Sequence, residues 1–435
     1  MVDVAEVLIW GELVGAVRWD EGRQLASFQY DRKFLSKDWD LSPIKMPIQQ
    51  GNRIYEFPEL RKRKDESEDT YKGLPGLLAD SLPDRYGSQL MNVWLARQGR
   101  PANSMNPVEQ LCFIGSRGMG ALEFRPAQME ASVGTVSLEI NSLVDVARKM
   151  LSDREAFQTK LNKEEEQGVK EILRIGTSAG GARPKAVIAY NEQSGEVRSG
   201  QAQVDEGFEH WLIKLDGVSG AQFGESMGWG EVEYAYYLMA KECGIDMMEC
   251  KILNDGKRTH FMTKRFDREA NNVKHHIQTL CGIQHFDYNH MQGYSYEQLF
   301  QTMRVLRLTY PEAEQMFRRM VFNVLATNCD DHTKNFAFRL KQGGKWELSP
   351  AYDVCYAYDP NNHWVNQQTL SVNGKHKDIT KADLMTIAKA NSIKKGEKII
   401  EEINTVVKNW VDFAREAKVD AEKTMEIESH LHHLK

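Results

Sequence analysis

The segment CDDHTKNF, residues 329–336, constrains this chain more than any other feature, because it packs five ionisable or amide side chains into eight positions. Two aspartates, a histidine, a lysine and an asparagine can bind a metal ion, move protons or contact phosphate groups. A stripe of apolar residues at helical spacing over 316–325 precedes the segment, so a buried helix is predicted to lead into it. The neighbouring segments decide which of these chemistries fits.

The spacing inside this segment favours phosphoryl transfer. Asp330 and Asn335 are separated by four residues, as in the D-x-x-x-x-N catalytic loop of protein kinases. There the aspartate orients or deprotonates the attacking hydroxyl, and the asparagine oxygen binds Mg²⁺. Lys334 can neutralise charge on the transferred phosphate, and His332 lies between them. Asp353 follows in LSPAYDV, soon after the strand-like KWEL, where kinases carry their second magnesium ligand.

The alternative is a transition-metal site in which Asp330, Asp331 and His332 all bind one ion. Consecutive side chains diverge, and metal sites usually draw their ligands from several segments. The six cysteines are scattered without a CxxC pair, so neither a structural zinc site nor a disulfide framework is expected. We favour phosphoryl transfer and keep the metal site as the alternative.

Three further pieces precede these segments. Residues 176–185, GTSAGGARPK, form a glycine-rich loop whose backbone N–H groups can line a phosphate, although glycine turns are common. Lys214 lies in the strand-like WLIKL, where it must find an anion, reach water or occupy a sheet edge. Glu233 lies in the first turn of a helix predicted over 231–243, where it either complements the helix dipole or orients Lys214. The ordered set is far more specific than any single member.

Composition limits the classes of protein that remain. The 435 residues are long enough for two or three domains. No apolar run is long enough to span a membrane, and the N-terminus MVDVAEVLIWGEL is acidic where a secretory signal would be basic. We therefore expect a cytoplasmic protein without membrane association. The net charge of −6 argues against a self-sufficient nucleic-acid binder, although a basic partner can bring the chain to DNA.

A series of segments runs through nearly the whole chain: WGELVGAVRWD, LPGLLADSLPDRYG, GTSAGGARPK, WLIKL, EYAYYLMAKECGI, TKRFDR, CDDHTKNF, LSPAYDV and LSVNGK. In this order they resemble the HipA family of serine/threonine kinase toxins from bacterial toxin–antitoxin systems. The pair CDDHTKNF and LSPAYDV is the most specific part of the resemblance. It implies that this chain, too, is a protein serine/threonine kinase.

The resemblance implies an α+β, protein-kinase-like, two-lobed fold. We expect a β-rich N-terminal subdomain over residues 1–130 and a mixed, N-lobe-like nucleotide-binding region over 131–290. An all-helical C-lobe with the catalytic loop is expected over 291–435. Short strand-like runs separated by GE and DEG turns in residues 6–30 agree with the β-rich start.

Residue roles follow from the resemblance position by position. Asp330 is expected to be the catalytic aspartate, and Asn335 and Asp353 are expected to hold Mg²⁺. Lys214, with Glu233 as its orienting carboxylate, is expected to contact the phosphates of ATP. The other expected nucleotide contacts are the phosphate-covering loop Gly180, Gly181, Ala182, Arg183, Pro184 and Lys185, the adenine segment Lys264, Arg265 and Phe266, and the residues His332, Lys334 and Tyr352.

Regulation by autophosphorylation is also implied. Ser178 falls where the family carries its autophosphorylated serine, and the modified loop is expelled so that the kinase is silenced. A phosphate adds roughly −1.5 to −2 charge at neutral pH, so it should repel the phosphates of ATP. Thr177 offers a second hydroxyl beside Ser178, so the sequence leaves open which of the two is modified.

The family also implies partners. They are a small helix-turn-helix antitoxin (HipB-like), operator DNA reached through the antitoxin complex, and a protein substrate such as an aminoacyl-tRNA synthetase, whose phosphorylation arrests growth. A small-molecule kinase with the same lobes and a catalytically silent corepressor are the alternatives. Asp331 departs from the family, which often has glycine after the catalytic aspartate, and its role stays unassigned.

Overall fold

A computed structural model describes residues 2–62, 69–128, 137–141, 143–145, 147, 172–173, 176, 184–200, 203–218, 227–256 and 258–434. The predicted site residues outside these ranges are Thr177, Ser178, Gly180, Gly181, Ala182 and Arg183. Within the ranges the chain forms three antiparallel sheets, with helices packed on and between them.

The first sheet lies at the N-terminus and has the strand order β3-β2-β1-β4. Its members are β1 (Val4–Ile9), β2 (Glu12–Asp20), β3 (Leu25–Tyr30) and β4 (Leu122–Arg125). Trp10 and Gly11 join β1 to β2 as a two-residue turn, and both have positive φ. That backbone matches the twist of a tight hairpin. The strands predicted in residues 6–30 are confirmed.

Three helices accompany this sheet: α1 (Gly76–Ala79), α2 (Arg85–Arg97) and α3 (Pro107–Ile114). The side chain of Asp84 accepts a hydrogen bond from the Gly87 N–H at 2.6 Å, which satisfies a free donor at the start of α2. Helix α3 packs on the first sheet, whereas Tyr86 and Leu90 of α2 belong to the core of the second sheet. The N-terminal subdomain and the region after it therefore share packed side chains.

The second sheet has the strand order β6-β5-β7-β9-β8. Its members are β5 (Lys185–Tyr190), β6 (Val197–Ser199), β7 (Glu209–Lys214), β8 (Cys250–Asn254) and β9 (Thr259–Lys264). Trp211 and Ile213 are buried on one face of β7, and Lys214 projects from the other face. Since β7 is the central strand, the alternative of an edge-strand lysine is wrong. Helix α4 (Trp229–Glu242) packs against β8 and β9.

The remaining helices form the C-lobe around one large core. They are α5 (Leu280–Gln284), α6 (Tyr296–Val305), α7 (Tyr310–Leu325), α8 (Lys381–Ala390), α9 (Gly396–Lys408), α10 (Trp410–Glu416) and α11 (Ala421–His430). The apolar stripe at 316–325 lies on α7 and is buried as predicted. No helix within the described ranges combines the length and the apolarity needed to cross a bilayer.

The expectation of an all-helical C-lobe needs one correction. A third sheet joins β10 (His276–Thr279), β11 (Ala337–Leu340) and β12 (Trp346–Leu348) in chain order. The strands β11 and β12 follow the catalytic loop directly and are joined by a tight turn with Gly343 at positive φ. The alternating apolar pattern on both sides of this turn favours a hairpin over a helix.

Candidate active site

Lys214 brings together two carboxylates from distant segments. It is the last residue of β7, and its Nζ donates to Oε1 of Glu233 on α4 and, at 2.6 Å, to Oδ1 of Asp353. We call Lys214, Glu233 and Asp353 the cleft cluster. Glu233 is almost fully buried, whereas the Asp353 side chain is 34% exposed. The contact between the lysine and the glutamate is the one that a kinase uses to hold the nucleotide phosphates.

Local backbone geometry explains why the two carboxylates reach the lysine. Helix α4 begins at Trp229, two residues earlier than predicted, after Gly228 with positive φ. Glu233 is therefore in the second turn, facing the sheet, and its burial requires a cationic partner. Asp353 has a φ of 54°, a left-handed conformation that is uncommon for residues other than glycine and is concentrated at functional sites.

A second lysine strengthens the positive charge beside Asp353. Lys185 on β5 pairs directly with Lys214 on β7 and is itself buried. Burial lowers the pKa of Lys185, and the nearby carboxylates of Asp353 and Asp84 oppose that shift. Burial would raise the pKa of Asp353, but the charges of Lys214 and Lys185 hold it well below its usual range. Asp353 is therefore ionised at neutral pH, as a metal ligand must be.

The predicted catalytic loop, residues 329–336, presents Asp330 to solvent and closes on itself through Asn335. The Asp330 side chain is 45% exposed, with its Oδ1 3.6 Å from Nε2 of His332. The amide nitrogen of Asn335 donates to the Asp330 carbonyl oxygen at 2.7 Å, so the amide oxygen is the atom left to act as a ligand. Asn335 and Asp353 line the same small cavity. One carboxylate and one amide oxygen are hard donors, so these residues fit Mg²⁺.

Asp331 faces away from Asp330 and into the protein. Its oxygens accept hydrogen bonds from the hydroxyl of Tyr296 at 2.7 Å and from the backbone N–H of Thr369 at 2.6 Å. Burial raises the pKa of Asp331 to about 7. Because both oxygens are engaged inside the protein, Asp331 is not available to an ion shared with Asp330 and His332. The alternative of a transition-metal site is therefore wrong.

Three of the predicted nucleotide contacts lie side by side. The rings of Phe266 and Tyr352 stack with centroids 5.5 Å apart, and the Tyr352 hydroxyl donates to the Lys334 carbonyl oxygen at 2.7 Å. Nζ of Lys334 lies 4.4 Å from the ring centroid of Tyr288. Nδ1 of His332 is buried and has no hydrogen-bond partner among the described residues. A bound nucleotide would supply polar atoms to such a group.

The side-chain charge of Lys264 is paired with a carboxylate on the neighbouring strand β7. It ends β9, and its Nζ donates to Oε1 of Glu209 at 2.5 Å. Both side chains of this pair are partly exposed on the surface of the sheet. The adenine contact predicted at this residue would therefore be made by main-chain atoms.

The side chain of Arg265 belongs to a second cluster of charge. Asp267 is fully buried and accepts from Arg265 at 2.5 Å, from Arg268 at 2.6 Å and from the Gly120 N–H at 2.8 Å. Arg268 also donates to the carbonyl oxygens of Gly118 and Gly120. Burial would raise the pKa of Asp267, but the two guanidinium groups hold it well below its usual range. We call Arg265, Asp267 and Arg268 the joint cluster, since it fastens the N-terminal subdomain to the second sheet.

The N-terminal subdomain also contributes carboxylates to the cleft, which the sequence analysis did not assign. Asp80 accepts from the N–H and the hydroxyl of Thr279, both at 2.8 Å. Burial opposes the charge of Lys334, but its surroundings, among them Asp80 and Asp84, raise its pKa overall. The available signal was the pair of aspartates in ADSLPDR.

Two protein-family models match this chain. The HipA-like C-terminal domain matches residues 177–410, and the HipA N-terminal domain matches residues 5–125. HipA of Shewanella oneidensis MR-1, solved with HipB and its operator DNA, has a TM-score of 0.65 at 16% identity over 98% of this chain and 94% of that chain. The Helicobacter pylori proinflammatory kinase CtkA has a TM-score of 0.34 at 12% identity, over 58% of this chain and 90% of that chain.

A curated relative from Haemophilus influenzae, whose name assigns it provisionally to the kinases, is 28% identical over 138 residues. That match covers 28% of this chain and 40% of the length of the relative. The shared fold with the Shewanella protein confirms the α+β, kinase-like, two-lobed architecture. Since the model of the C-terminal domain alone spans more than half of the residues, the chain belongs to the HipA family.

Proposed function

We propose that this chain is an ATP- and Mg²⁺-dependent serine/threonine protein kinase that acts as the toxin of a toxin–antitoxin pair. The observation that carries the proposal is the position of Lys214 between Glu233 and Asp353. Kinases require a lysine–glutamate pair and a metal-binding aspartate together, because phosphoryl transfer depends on positioning and on charge stabilisation.

Each part of the cleft has a distinct task in this proposal. Lys214 binds the phosphates of ATP and is oriented by buried Glu233. Asn335 and Asp353 hold Mg²⁺, which neutralises the charge that develops across the phosphates. Asp330 is exposed, so it can accept or orient the proton of an incoming hydroxyl.

The remaining predicted contacts surround the nucleotide. The main chain of Lys264 and the stacked rings of Phe266 and Tyr352 face the adenine. His332 and Lys334 contact the phosphates, and Nδ1 of His332, which has no hydrogen-bond partner in the described part of the chain, supports this assignment. The phosphates are covered by a loop that includes Gly180, Gly181, Ala182, Arg183, Pro184 and Lys185. Arg265 acts from the joint cluster and helps to position the adenine segment.

Partners and regulation follow from family membership. We propose a helix-turn-helix antitoxin as the partner and operator DNA as a ligand of the pair, because the Shewanella HipA structure contains HipB and operator DNA. We propose that the substrate is a protein of translation such as an aminoacyl-tRNA synthetase. Phosphorylation of Ser178 or Thr177 in the cytoplasm would silence the kinase, since the added charge opposes ATP binding.

The test is transfer of radiolabel from γ-labelled ATP to protein by the wild type and by the variants Asp330→Asn and Asp353→Asn. We expect each variant to lose about 10²- to 10⁴-fold in rate, because each removes a group that acts on the transferred phosphate. The control is Asp383→Asn on α8, a buried carboxylate with its own partners. Full transfer by the Asp330 variant would sink the proposal. Label on a metabolite would favour a small-molecule kinase, and ATP binding without turnover would favour a corepressor.

A further inference from the structure

Thr369 forms hydrogen bonds with the residues on both sides of the proposed catalytic aspartate. Its backbone N–H donates to Oδ1 of Asp331 at 2.6 Å, and its hydroxyl donates to the Cys329 carbonyl oxygen at 3.0 Å. The same Asp331 oxygen lies 3.4 Å from the N–H of Leu370. Asp330 stands between these two anchored neighbours, so its backbone is fixed while its side chain remains exposed.

The other oxygen of Asp331 connects this anchor to the helical core. The hydroxyl of Tyr296, the first residue of α6, donates to it at 2.7 Å and accepts from Nδ2 of Asn323 on α7 at 3.0 Å. Nδ2 of Asn328 donates in turn to Oδ1 of Asn323 at 3.0 Å. Asp331 is only 1% exposed, and hydrogen bonds to both of its oxygens hold its side chain in place.

The segment that carries Thr369 is also the continuation of the one that carries Asp353. Between them the chain returns beside the catalytic loop, since Cys329 N–H donates to the Ala357 carbonyl oxygen at 3.0 Å. Gln368 donates through Nε2 to the Asn323 carbonyl oxygen at 3.1 Å. The anchor at Asp331 therefore joins the segment that presents Asp330 to the segment that presents Asp353.

We propose that Asp331 and Thr369 are positioning residues for phosphoryl transfer, which hold Asp330 in register with Asp353. The inference rests on the proposed kinase function and assigns a role to the aspartate that stands where the family often has glycine. A glycine there would leave the Tyr296 hydroxyl and the Thr369 N–H without their acceptor. A shift of about 1 Å in a catalytic group can cost on the order of 10²-fold in rate.

The test compares Asp331→Ala, Asp331→Asn and Thr369→Val with the control Asp383→Ala. Asp383 is also buried and accepts from Lys375 at 2.8 Å, but it lies on α8 outside the catalytic loop. The rate measured is total turnover of γ-labelled ATP, counted as label on the chain, on added casein and in free phosphate. The KM for ATP and the melting temperature are measured beside it.

We expect Asp331→Ala to lower kcat about 100-fold, with the KM for ATP unchanged within about twofold. Asp331→Asn keeps one acceptor oxygen and should recover part of that loss, and Thr369→Val should lower kcat by a smaller factor. The Asp383 variant should lose melting temperature but keep kcat. If Asp331→Ala does not fold, the two near-isosteric variants carry the test.

Three outcomes distinguish failure of this inference from failure of the function on which it rests. If the wild type turns over ATP and both Asp331→Asn and Thr369→Val keep full kcat, the positioning role is overturned and the kinase function stands. Equal loss of kcat in the Asp331 and Asp383 variants would likewise reduce Asp331 to a structural role. A wild type without any turnover overturns the kinase function itself.

Discussion

The cleft cluster and the joint cluster use the same chemistry, ion pairs between basic and acidic side chains, but they differ in what stays open to solvent. In the cleft cluster Asp353 remains about one-third exposed, and its partner Lys214 also serves buried Glu233. In the joint cluster Asp267 and both arginines are sealed, and the neighbouring backbone takes up further donors. An exposed member can exchange its partner for a ligand, whereas a sealed cluster can only hold segments together.

The largest effect should come from breaking the cleft cluster. Lys214→Met removes the charge but keeps the length of the side chain, so we expect kcat/KM for ATP turnover to fall about 10²- to 10³-fold. The control is Lys251→Met, a lysine on β8 that pairs with Glu192 and Glu249 outside the cleft cluster. Retention of more than half of the wild-type kcat/KM by the Lys214 variant would contradict the assignment of the cleft.

Breaking the joint cluster should reduce stability instead of chemistry. Asp267→Asn leaves Arg265 and Arg268 buried without a counter-charge, so the free energy of unfolding should fall by about 3–5 kcal/mol. Chemical denaturation measures that loss, and ATP turnover by the protein that remains folded should stay within a few-fold of wild type. A variant that keeps its stability but loses turnover would reverse the distinction between the two clusters.

Asp331 differs from the carboxylates of both clusters because its described partners are hydrogen-bond donors, the Tyr296 hydroxyl and the Thr369 N–H. Its titration should therefore appear in the pH dependence of stability. Burial raises the pKa of Asp331 to about 7 in the folded state, whereas an aspartate in the unfolded chain has a pKa of about 4. Between these two pH values the folded state keeps a proton that the unfolded state has released. The contribution of Asp331 to the unfolding free energy should therefore fall as pH rises through this window, by at most about 1.4 kcal/mol per pH unit, and level off above it.

Asp331→Asn should remove this contribution, while Asp40, Asp80 and Asp84, whose pKa burial raises to about 6, keep theirs. If the unfolding free energies of the variant and the wild type change in parallel between pH 4 and pH 7, Asp331 does not titrate as expected.

The smallest effect is expected at the surface pair. Lys264 and Glu209 are both partly exposed, so Lys264→Ala should change the free energy of unfolding by less than about 1 kcal/mol. Because the proposed adenine contact uses the main chain here, affinity for a fluorescent ATP analogue should stay within about twofold. A tenfold loss of affinity would show that the lysine side chain reaches the nucleotide.

Local patterns predicted the elements well where neighbouring residues determine them. Strand alternation predicted the first three strands, and the apolar stripe at 316–325 predicted the buried helix α7. The cleft cluster was also predictable, because the order of its members along the chain is a recurring arrangement of kinase-like sites. No spacing rule states that Lys214 contacts Asp353, 139 positions away. The resemblance placed both residues at the nucleotide and its metal ion, but it did not predict this direct contact.

Contacts made at a distance by residues without a recurring pattern could not be predicted. Arg265 was expected to contact the adenine because it lies between Lys264 and Phe266. Its guanidinium instead contacts Asp267, which also accepts a hydrogen bond from Gly120 of the N-terminal subdomain. Asp331 and Asp330 are adjacent and chemically identical, and only the packing of Tyr296 and Thr369 separates their roles. Such choices depend on which buried donors need an acceptor, and that appears only when the segments are assembled.

The packing of Tyr86 and Leu90 into the core of the second sheet has a consequence for how this gene can be divided. The two HipA family models match separate parts of this chain, which suggests two domains that could be exchanged independently. Excising the first would uncover the apolar surface around Ile188 and Trp211 that those two side chains now cover, and exposed patches of that kind promote aggregation. We therefore expect recombination between relatives to keep the fold only when both halves are exchanged together or the packed surface between them is redesigned.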